Sequence, residues 1–588
     1  MSRRDTAQSI CASVLADRYL APGESDRRDV FRRVALALAA VEPEPLRNRV
    51  AARFYRNMLR GAIGAGRIMA NAGTTQPGTM VNCFVQPLCP PQRRVALADD
   101  IERALSDARA TLSMGGGVGY DFSAIAPALG ESGSSSGGVC PVVDRFDEAC
   151  RRLTFAGARH GAQMAVLRCD HPDLVAFVRA KRGRTRWPTF NVSVAVTDAF
   201  MSAVADDAPW TLAHHAKPTR PRAASSRRAD GAYVYTQIGA RMLWRDIVEC
   251  ARESAEPGLL FIDTINAANV LAPIETIDAT NPCGEQPLPA WGSCVLGPID
   301  LSRLVHHPFG ADGEPCFDYA RLASLVRTQV RLLDNVITAT RWPLAAQARE
   351  ALSKRRIGVG VTGLADALAM MRLPYDAPPA RALAARIAAC IRDHAYAASS
   401  EIAAERGPYP LFDAAYHLAP GSFGSRLPEP VRVAIARHGL RNSHLLSFAP
   451  TGSVSLALAD NCSNGIEPAY DWVYGRAVRL GGREARVYRV ENHAHRLYHA
   501  IYGAQAPLPG YFRRAREIGA LEHVSMLAAL QPFVDAAISK TVTIDSGAYD
   551  AQVDTLLFAA WKARLKGITV FRPDPKLEAV LTPRCPTC

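Results

Sequence analysis

In the run Asn281-Pro282-Cys283-Gly284-Glu285-Gln286-Pro287-Leu288, a thiol lies two residues from an amide on one side and two from a carboxylate on the other. If the segment is extended, side chains alternate faces, and Asn281, Cys283 and Glu285 project together. A carboxylate next to a thiol opposes thiolate formation, because a second negative charge is disfavoured. A cysteine hydrolase would want a histidine here, and the run has none. The set suits a neutral thiol that loses a hydrogen atom, with Glu285 acting on a bound substrate as general base. The blander alternative for Cys283 is a buried structural cysteine, and the polar flanks weigh against it.

Other stretches carry weaker signals. Cys294 follows eleven residues later in Gly292-Ser293-Cys294-Val295-Leu296-Gly297, and Cys83 lies upstream in Val81-Asn82-Cys83-Phe84-Val85. Taken singly, each reads as a packed thiol. Leu445 to Leu456 runs from an apolar strand pattern through Ala449-Pro450-Thr451-Gly452-Ser453 into a helix pattern. Such a turn is either a structural cap or an anion site built on a helix N-terminus. It lacks the Gly-Lys-Ser/Thr of a nucleoside-triphosphate loop. The glycines of Ser113-Met114-Gly115-Gly116-Gly117-Val118-Gly119-Tyr120 fit a tight turn or close backbone approach to a ligand, without a dinucleotide fingerprint. Cys585-Pro586-Thr587-Cys588 is half a zinc site or a redox pair. No second cysteine pair matches it, and His493, His495 and His499 read more simply as a solvated helix face, so dithiol exchange is preferred. From Phe571, a chain reaching Cys585 spans at most roughly 45–50 Å when extended, enough to visit a buried site.

These groups need a sizeable scaffold, and 588 residues supply one. Apolar positions at helical spacing (Val30, Val34, Leu38; Val50, Phe54, Met58) predict a small helical region over 1–60. Over 61–572, strand patterns such as Val192-Ser193-Val194-Ala195-Val196, Leu259-Leu260-Phe261-Ile262 and Leu445-Leu446-Ser447-Phe448 alternate with helical ones. Leu322, Leu325, Val326, Val330, Leu333, Val336 and Ile337 form one helical stripe. That alternation predicts an α/β fold, open sheet or barrel. Residues 573–588 read as a flexible tail.

The chain carries 48% hydrophobic and 21% charged residues, as globular proteins do. No membrane span or signal core is evident, so a cytoplasmic protein is expected. Its fourteen cysteines are too sparse for a disulfide scaffold. Cys11, Cys140, Cys150, Cys250 and Cys390 read as inert. The net charge of +13 is concentrated in Lys181-Arg182-Gly183-Arg184-Thr185-Arg186 and in 217–228. The second stretch reads as a solvated loop, and neither reads as a nucleic-acid module.

Together these stretches resemble the catalytic subunit of ribonucleotide reductase. The resemblance rests first on residues 281–288. It extends to 81–85, Gly115 to Phe122, Gly161-Ala162-Gln163-Met164, Arg356-Ile357-Gly358-Val359-Gly360-Val361-Thr362-Gly363-Leu364, Ala449 to Leu456 and Gly465-Ile466-Glu467-Pro468. It continues in Ser539-Lys540-Thr541, Trp561-Lys562 and Leu565-Lys566-Gly567-Ile568-Thr569. It implies a ten-stranded α/β barrel of two antiparallel halves, with the Cys283 loop threading its centre. By matching position, Cys283 is the thiyl residue that removes the ribose 3′-hydrogen, Glu285 takes the 3′-hydroxyl proton and Asn281 bonds the ribose hydroxyls. Cys83 and Cys294 are the reducing pair, which requires Cα atoms within about 7 Å. Asn82, Gly117 and the turn Pro450, Thr451, Gly452, Ser453 and Val454 bind substrate. Cys585 and Cys588 resemble a tail dithiol that thioredoxin or glutaredoxin reduces.

The resemblance also bears on the radical source. The oxygen-dependent class uses a tandem tyrosine, which Lys566-Gly567-Ile568-Thr569-Val570-Phe571-Arg572 lacks, and no glycyl-radical site is evident. The chain therefore looks like the adenosylcobalamin class. The alternative is a large subunit served by a separate radical-generating subunit. A third reading, a nucleotide-binding protein without catalysis and with a nucleic-acid partner, is opposed by the intact set of Asn281, Cys283, Glu285, Cys83 and Cys294. The tail and dimer-type loops favour diphosphate substrates and a homodimer. Segments 126–139 and 156–163 resemble loops that sense deoxynucleotide effectors, the first unusually rich in Ser and Gly. The chain begins without a further regulatory domain, so overall control by dATP is not expected. Asn82 stands where some relatives have serine.

Overall fold

Val30, Val34 and Leu38 sit on one face of their helix, and Val50, Phe54 and Met58 on one face of the next; all six are buried. They belong to α2 (Arg27–Ala39) and α3 (Glu44–Leu59), which pack together, while α1 (Ser9–Arg18) packs against the helix Gly452–Leu458. The Asp26 carboxylate starts α2 by accepting from the backbone N–H groups of Arg28 and Asp29 at 2.7 and 3.1 Å. The computed structural model describes residues 8–130, 137–153, 161–183, 185–219, 226–478, 486–545, 547–572 and 581–582. Cys585, Cys588, most of the tail and parts of both candidate effector loops lie outside the described residues.

Beyond the helices, short strands form a curved sheet. They are β1 (Cys83–Val85), β2 (Gly117–Asp121), β3 (Gln163–Arg168), β4 (Phe190–Val196), β5 (Gly258–Phe261), β6 (Ser293–Asp300), β7 (Ile357–Thr362), β8 (Thr541–Thr543) and β9 (Gly567–Phe571). The order is β7-β6-β1-β2-β3-β4-β5-β9-β8. Residues 445–448 join the two edges. Val359 N donates to Leu445 O at 2.7 Å, and Phe448 N donates to Ala537 O at 3.2 Å, just before β8. Parallel bridges Val359–Leu446 and Phe448–Ile538 mark the same closure. The result is a ten-stranded α/β barrel. Strands β1 to β5 run parallel in one half, and β6, β7, 445–448, β8 and β9 run parallel in the other. The halves meet antiparallel at β1–β6 and at β5–β9.

The predicted apolar stripe forms α4 (Tyr319–Ala339), which packs outside β6 and β7 with all seven stripe residues buried. Inside the barrel lies a second, smaller apolar cluster. Val85, Met164, Val166, Ala195 and Leu260 of the wall close on Ala279 and Leu288. Those two belong to an antiparallel hairpin, Ala279–Thr280 with Pro287–Leu288, that enters the barrel. Gly119 lets the hairpin in: a Cβ there would lie 1.8 Å from the Thr280 carbonyl oxygen. Among the described residues, no helix is long and apolar enough to cross a membrane.

Candidate active site

The 281–286 segment is the tip of this hairpin, not an extended strand. Asn281 N donates to Gln286 O at 3.1 Å, and Gly284 N donates to Asn281 O at 3.1 Å, closing a turn. Gly284 sits at φ +80, which a Cβ would oppose. The Asn281 side-chain oxygen accepts from Gln286 N at 2.9 Å. The expectation of an extended segment therefore fails, although Asn281, Cys283 and Glu285 still line one cleft. Cys283 is exposed at the apex, while Asn281 and Glu285 are buried beneath it. The reason is local: the amide and the glycine bind the chain back on itself.

Three contacts from the barrel wall hold the tip. Asn191 Nδ2 donates to Pro282 O at 2.7 Å, Ser447 Oγ to Glu285 O at 2.9 Å, and Ala537 N to the same carbonyl at 3.1 Å. They come from β4, from 445–448 and from the segment leading to β8, so both halves of the barrel set the height of Cys283.

Beneath the tip, Cys83 and Cys294 are direct partners across the β1–β6 seam. Facing residues of an antiparallel pair have Cα atoms about 4.5–5.5 Å apart, inside the range a disulfide spans. Both are free thiols here. Burial, then the nearby Glu285 carboxylate, hold each far above the ordinary thiol range. Asn281 Nδ2 donates to Cys83 Sγ at 3.1 Å, and Cys83 Sγ lies 3.8 Å from Glu285 Oε1. Burial pushes the Glu285 carboxyl up to about 7, against the bonds from Asn281 and Cys83 that lower it. Its second oxygen, Oε2, is buried with no hydrogen-bond partner among the described residues. A carboxyl poised near neutrality with one unsatisfied oxygen can exchange a proton with a bound ligand.

Asn82, Gly117, Asn281, Cys283, Glu285 and the 450–454 turn line one cleft. The turn leads into α5 (Gly452–Leu458). Thr451 begins it in the left-handed region at φ +60. Its hydroxyl lies 2.8 Å from Thr362 Oγ1 and accepts from Gly465 N at 2.9 Å. Ser453 Oγ lies 2.7 Å from the hydroxyl of Tyr19, so the N-terminal helical region buttresses the turn. A second cavity of about 410 Å³ opens on the other side of the tip. Ser193, Gly258, Ser539, Lys540 and Thr569 line it, and Cys283 borders both spaces.

Several contributors escaped the sequence. Asn191 and Ser447 carry no motif by themselves. Ser539-Lys540-Thr541 and Gly465-Ile466-Glu467-Pro468 were visible as motifs, but not as partners. Lys540 is buried and ion-paired with Glu467, and it donates to Thr541 O at 2.7 Å. Two glycines of the cluster serve the protein's own packing: Gly116 makes room for Phe84, and Gly119 for the hairpin.

The remaining groups stand apart. His493, His495 and His499 bond Asp460, Glu491 and the Gly503 carbonyl. No group of three metal-ligating side chains occurs among the described residues. Burial pushes Cys11, Cys140, Cys150, Cys250 and Cys390 up to about 11, as inert thiols require. Lys181, Arg182 and Arg186 are ion-paired with Glu256, Glu249 and Asp144 at 2.5–2.6 Å, so each of these three charges has an acidic partner.

Comparison with known proteins agrees with this geometry. The family model described as ribonucleotide reductase, barrel domain, matches residues 81–571, and the one described as ribonucleotide reductase, all-alpha domain, matches 7–77. The chain is 34% identical to a vitamin B12-dependent ribonucleoside-diphosphate reductase of Mycobacterium tuberculosis, over 98% of this chain and 80% of the relative. It is 31% identical to a protein of the same name from Thermoplasma acidophilum, over 87% of this chain and 64% of that one. It is 30% identical to a ribonucleoside-diphosphate reductase subunit alpha of Synechocystis, over 78% of this chain and 62% of that protein. A ten-stranded barrel, a cysteine-tipped hairpin at its centre and a facing thiol pair accompany these matches, and the chain belongs to the ribonucleotide reductase family.

Proposed function

We propose that this chain reduces ribonucleoside diphosphates to 2′-deoxyribonucleotides by thiyl-radical chemistry that depends on adenosylcobalamin. The observation that carries this reading is the position of Cys283, at the border of two cavities, above Glu285 and the Cys83–Cys294 pair. Relatives named vitamin B12-dependent reductases, one matching nearly the whole chain, favour it over a large subunit that relies on a separate radical-generating subunit.

The cavity on the far side of Cys283 fits an adenosyl group. Its volume lies in the roughly 300–1,000 Å³ range of ligand pockets, and its walls offer hydroxyl groups from Ser193, Ser539, Thr541 and Thr569. Gly258 keeps its floor open: a Cβ there would lie 2.9 Å from Thr569 Oγ1 and 3.1 Å from Ser193 Oγ. When bound, the cofactor supplies the oxidant that takes the Cys283 hydrogen atom.

On the cleft side, the chain's residues do the rest. Asn82, Gly117 and the 450–454 turn hold the nucleotide. Cys283 removes the ribose 3′-hydrogen. Glu285 accepts the 3′-hydroxyl proton, and Asn281 bonds the ribose hydroxyls. The 2′-hydroxyl leaves as water as Cys83 and Cys294 give up two protons and two electrons and join as a disulfide. The 3′-hydrogen then returns from Cys283. One nucleotide and two thiols thus become one deoxynucleotide, one disulfide and one water. High thiol pKa values suit this, since both thiols must start protonated.

Cys585 and Cys588 re-reduce the pair and are reduced by thioredoxin or glutaredoxin. Deoxynucleotides bound at segments 126–139 and 156–163 tune substrate choice, and the working form is a homodimer. The test is an anaerobic assay of the purified protein with CDP and CTP, with and without adenosylcobalamin. Formation of dCDP only with the cofactor, and with no second subunit, is expected. A requirement for a separate protein, or no deoxynucleotide from either substrate, overturns the reading.

A further inference from the structure

The substrate cleft contains a cation that neither the motifs nor the mechanism uses. Arg67 lies in the helix Gly66–Asn71, whose first turn borders the cleft, and it is only 8% exposed. Among the described residues that line the cleft, it is the one basic side chain, and Glu285 is the one acid. Two of its contacts help fix its place. Its backbone N–H donates to Asn82 Oδ1 at 3.3 Å. Its guanidinium lies over Gly115, where a Cβ would come within 2.4 Å of Cζ. Gly115 holds φ +90, so the first glycine of the cluster is shaped to admit this side chain.

The charge balance makes the position informative. A nucleoside diphosphate carries about three negative charges. The 450–454 turn offers only backbone dipoles and hydroxyls, and the Thr451 hydroxyl is already engaged with Thr362 and Gly465. A neutral turn leaves such a ligand uncompensated in a partly desolvated cleft. A guanidinium presents a planar fork of donors that matches phosphate oxygens. Holding it against the Gly115 backbone limits the ordering cost of binding.

We propose that Arg67 is a specificity-determining residue that binds the substrate's phosphate groups beside the 450–454 turn and makes the cleft select nucleotides over nucleosides. This rests on the reductase reading given above. The residue touches the phosphate and not the ribose, so it acts on binding and leaves the radical steps alone.

The test compares wild type, Arg67→Gln and Arg67→Lys as full chains. Equilibrium binding of CDP and of cytidine is measured, together with steady-state reduction of CDP. Arg67→Gln is expected to weaken CDP binding roughly tenfold to a hundredfold. It should raise KM by a similar factor, leave kcat within about twofold and leave cytidine affinity unchanged. Arg67→Lys keeps the charge without the fork and should recover part of the loss. Equal weakening toward CDP and cytidine, or none toward either, overturns the proposal. If wild type reduces CDP while Arg67→Gln binds it normally, this inference fails and the reductase reading stands. If wild type neither binds nor reduces CDP, both fail.

Discussion

Cys83 and Cys294 face each other directly across the antiparallel seam that joins the two halves of the barrel. An antiparallel seam is what brings two residues more than two hundred positions apart in sequence to disulfide distance without bending either strand. Replacing either cysteine by serine should abolish multiple turnover while leaving CDP binding intact. Mass spectrometry after a single turnover of wild type without reductant should find Cys83 and Cys294 bridged. A bridge between other cysteines would contradict the assignment.

Glu285 gives the reaction a pH signature. The base must be ionised, and burial holds its pKa near 7. kcat should therefore rise about tenfold per pH unit below 7 and level off above it. Glu285→Gln should lose about 10²–10⁴ in kcat and the pH dependence with it. A flat wild-type profile between pH 5.5 and 8 would exclude Glu285 as the base.

The same carboxyl makes a linked prediction for stability. Its folded pKa lies above the ordinary value of 4.5, so the native state binds more protons than the unfolded state between about 4.5 and 7. Stability from this group is present below pH 4.5 and is lost as pH rises through 7, on the order of 3 kcal/mol in all. Glu285→Gln should therefore unfold later than wild type in denaturant at pH 8, with the gap closing toward pH 5. An equal gap at both pH values would contradict the buried, raised carboxyl.

The hairpin is seated by close backbone contact. Gly119→Ala places a Cβ on the Thr280 carbonyl and should destabilise the fold by at least about 1–3 kcal/mol. Gly510→Ala meets nothing within 4 Å and serves as the neutral comparison. Equal unfolding midpoints for the two variants would show that the hairpin does not press on β2.

Asn191 acts at a distance from the reacting atoms, through Pro282 O. Asn191→Ala should leave CDP affinity unchanged and lower kcat about a hundredfold, the scale expected for a misplacement near 1 Å. Lower affinity with unchanged kcat would argue for a substrate contact instead.

The sequence made the chemistry legible more readily than its geometry. The helical region and the α/β alternation follow from period, the barrel from the resemblance that the motifs carry, and the stripe in 322–337 lies on α4 as its spacing predicts. The shape of the 281–286 tip did not follow, because the alternation of faces assumed an extended segment, while the Asn281–Gln286 pairing and Gly284 at φ +80 turn the chain. Cys83 and Cys294 looked inert singly, since only strand register makes them a pair. Asn191, Ser447 and Arg67 act through positions set by distant strands, and a single side chain of that kind leaves no local pattern. The tail dithiol lies outside the described residues, so its part rests on resemblance alone.

The central claim is that Cys283 abstracts hydrogen from the ribose 3′ carbon. The most direct measurement uses the purified full chain with adenosylcobalamin and CDP deuterated at the 3′ position, comparing wild type with Cys283→Ser. Wild type should form dCDP with a primary isotope effect and retain the 3′ deuterium in the product, while Cys283→Ser should bind CDP and form none. Reduction of CDP by Cys283→Ser at a rate like that of wild type would contradict the account.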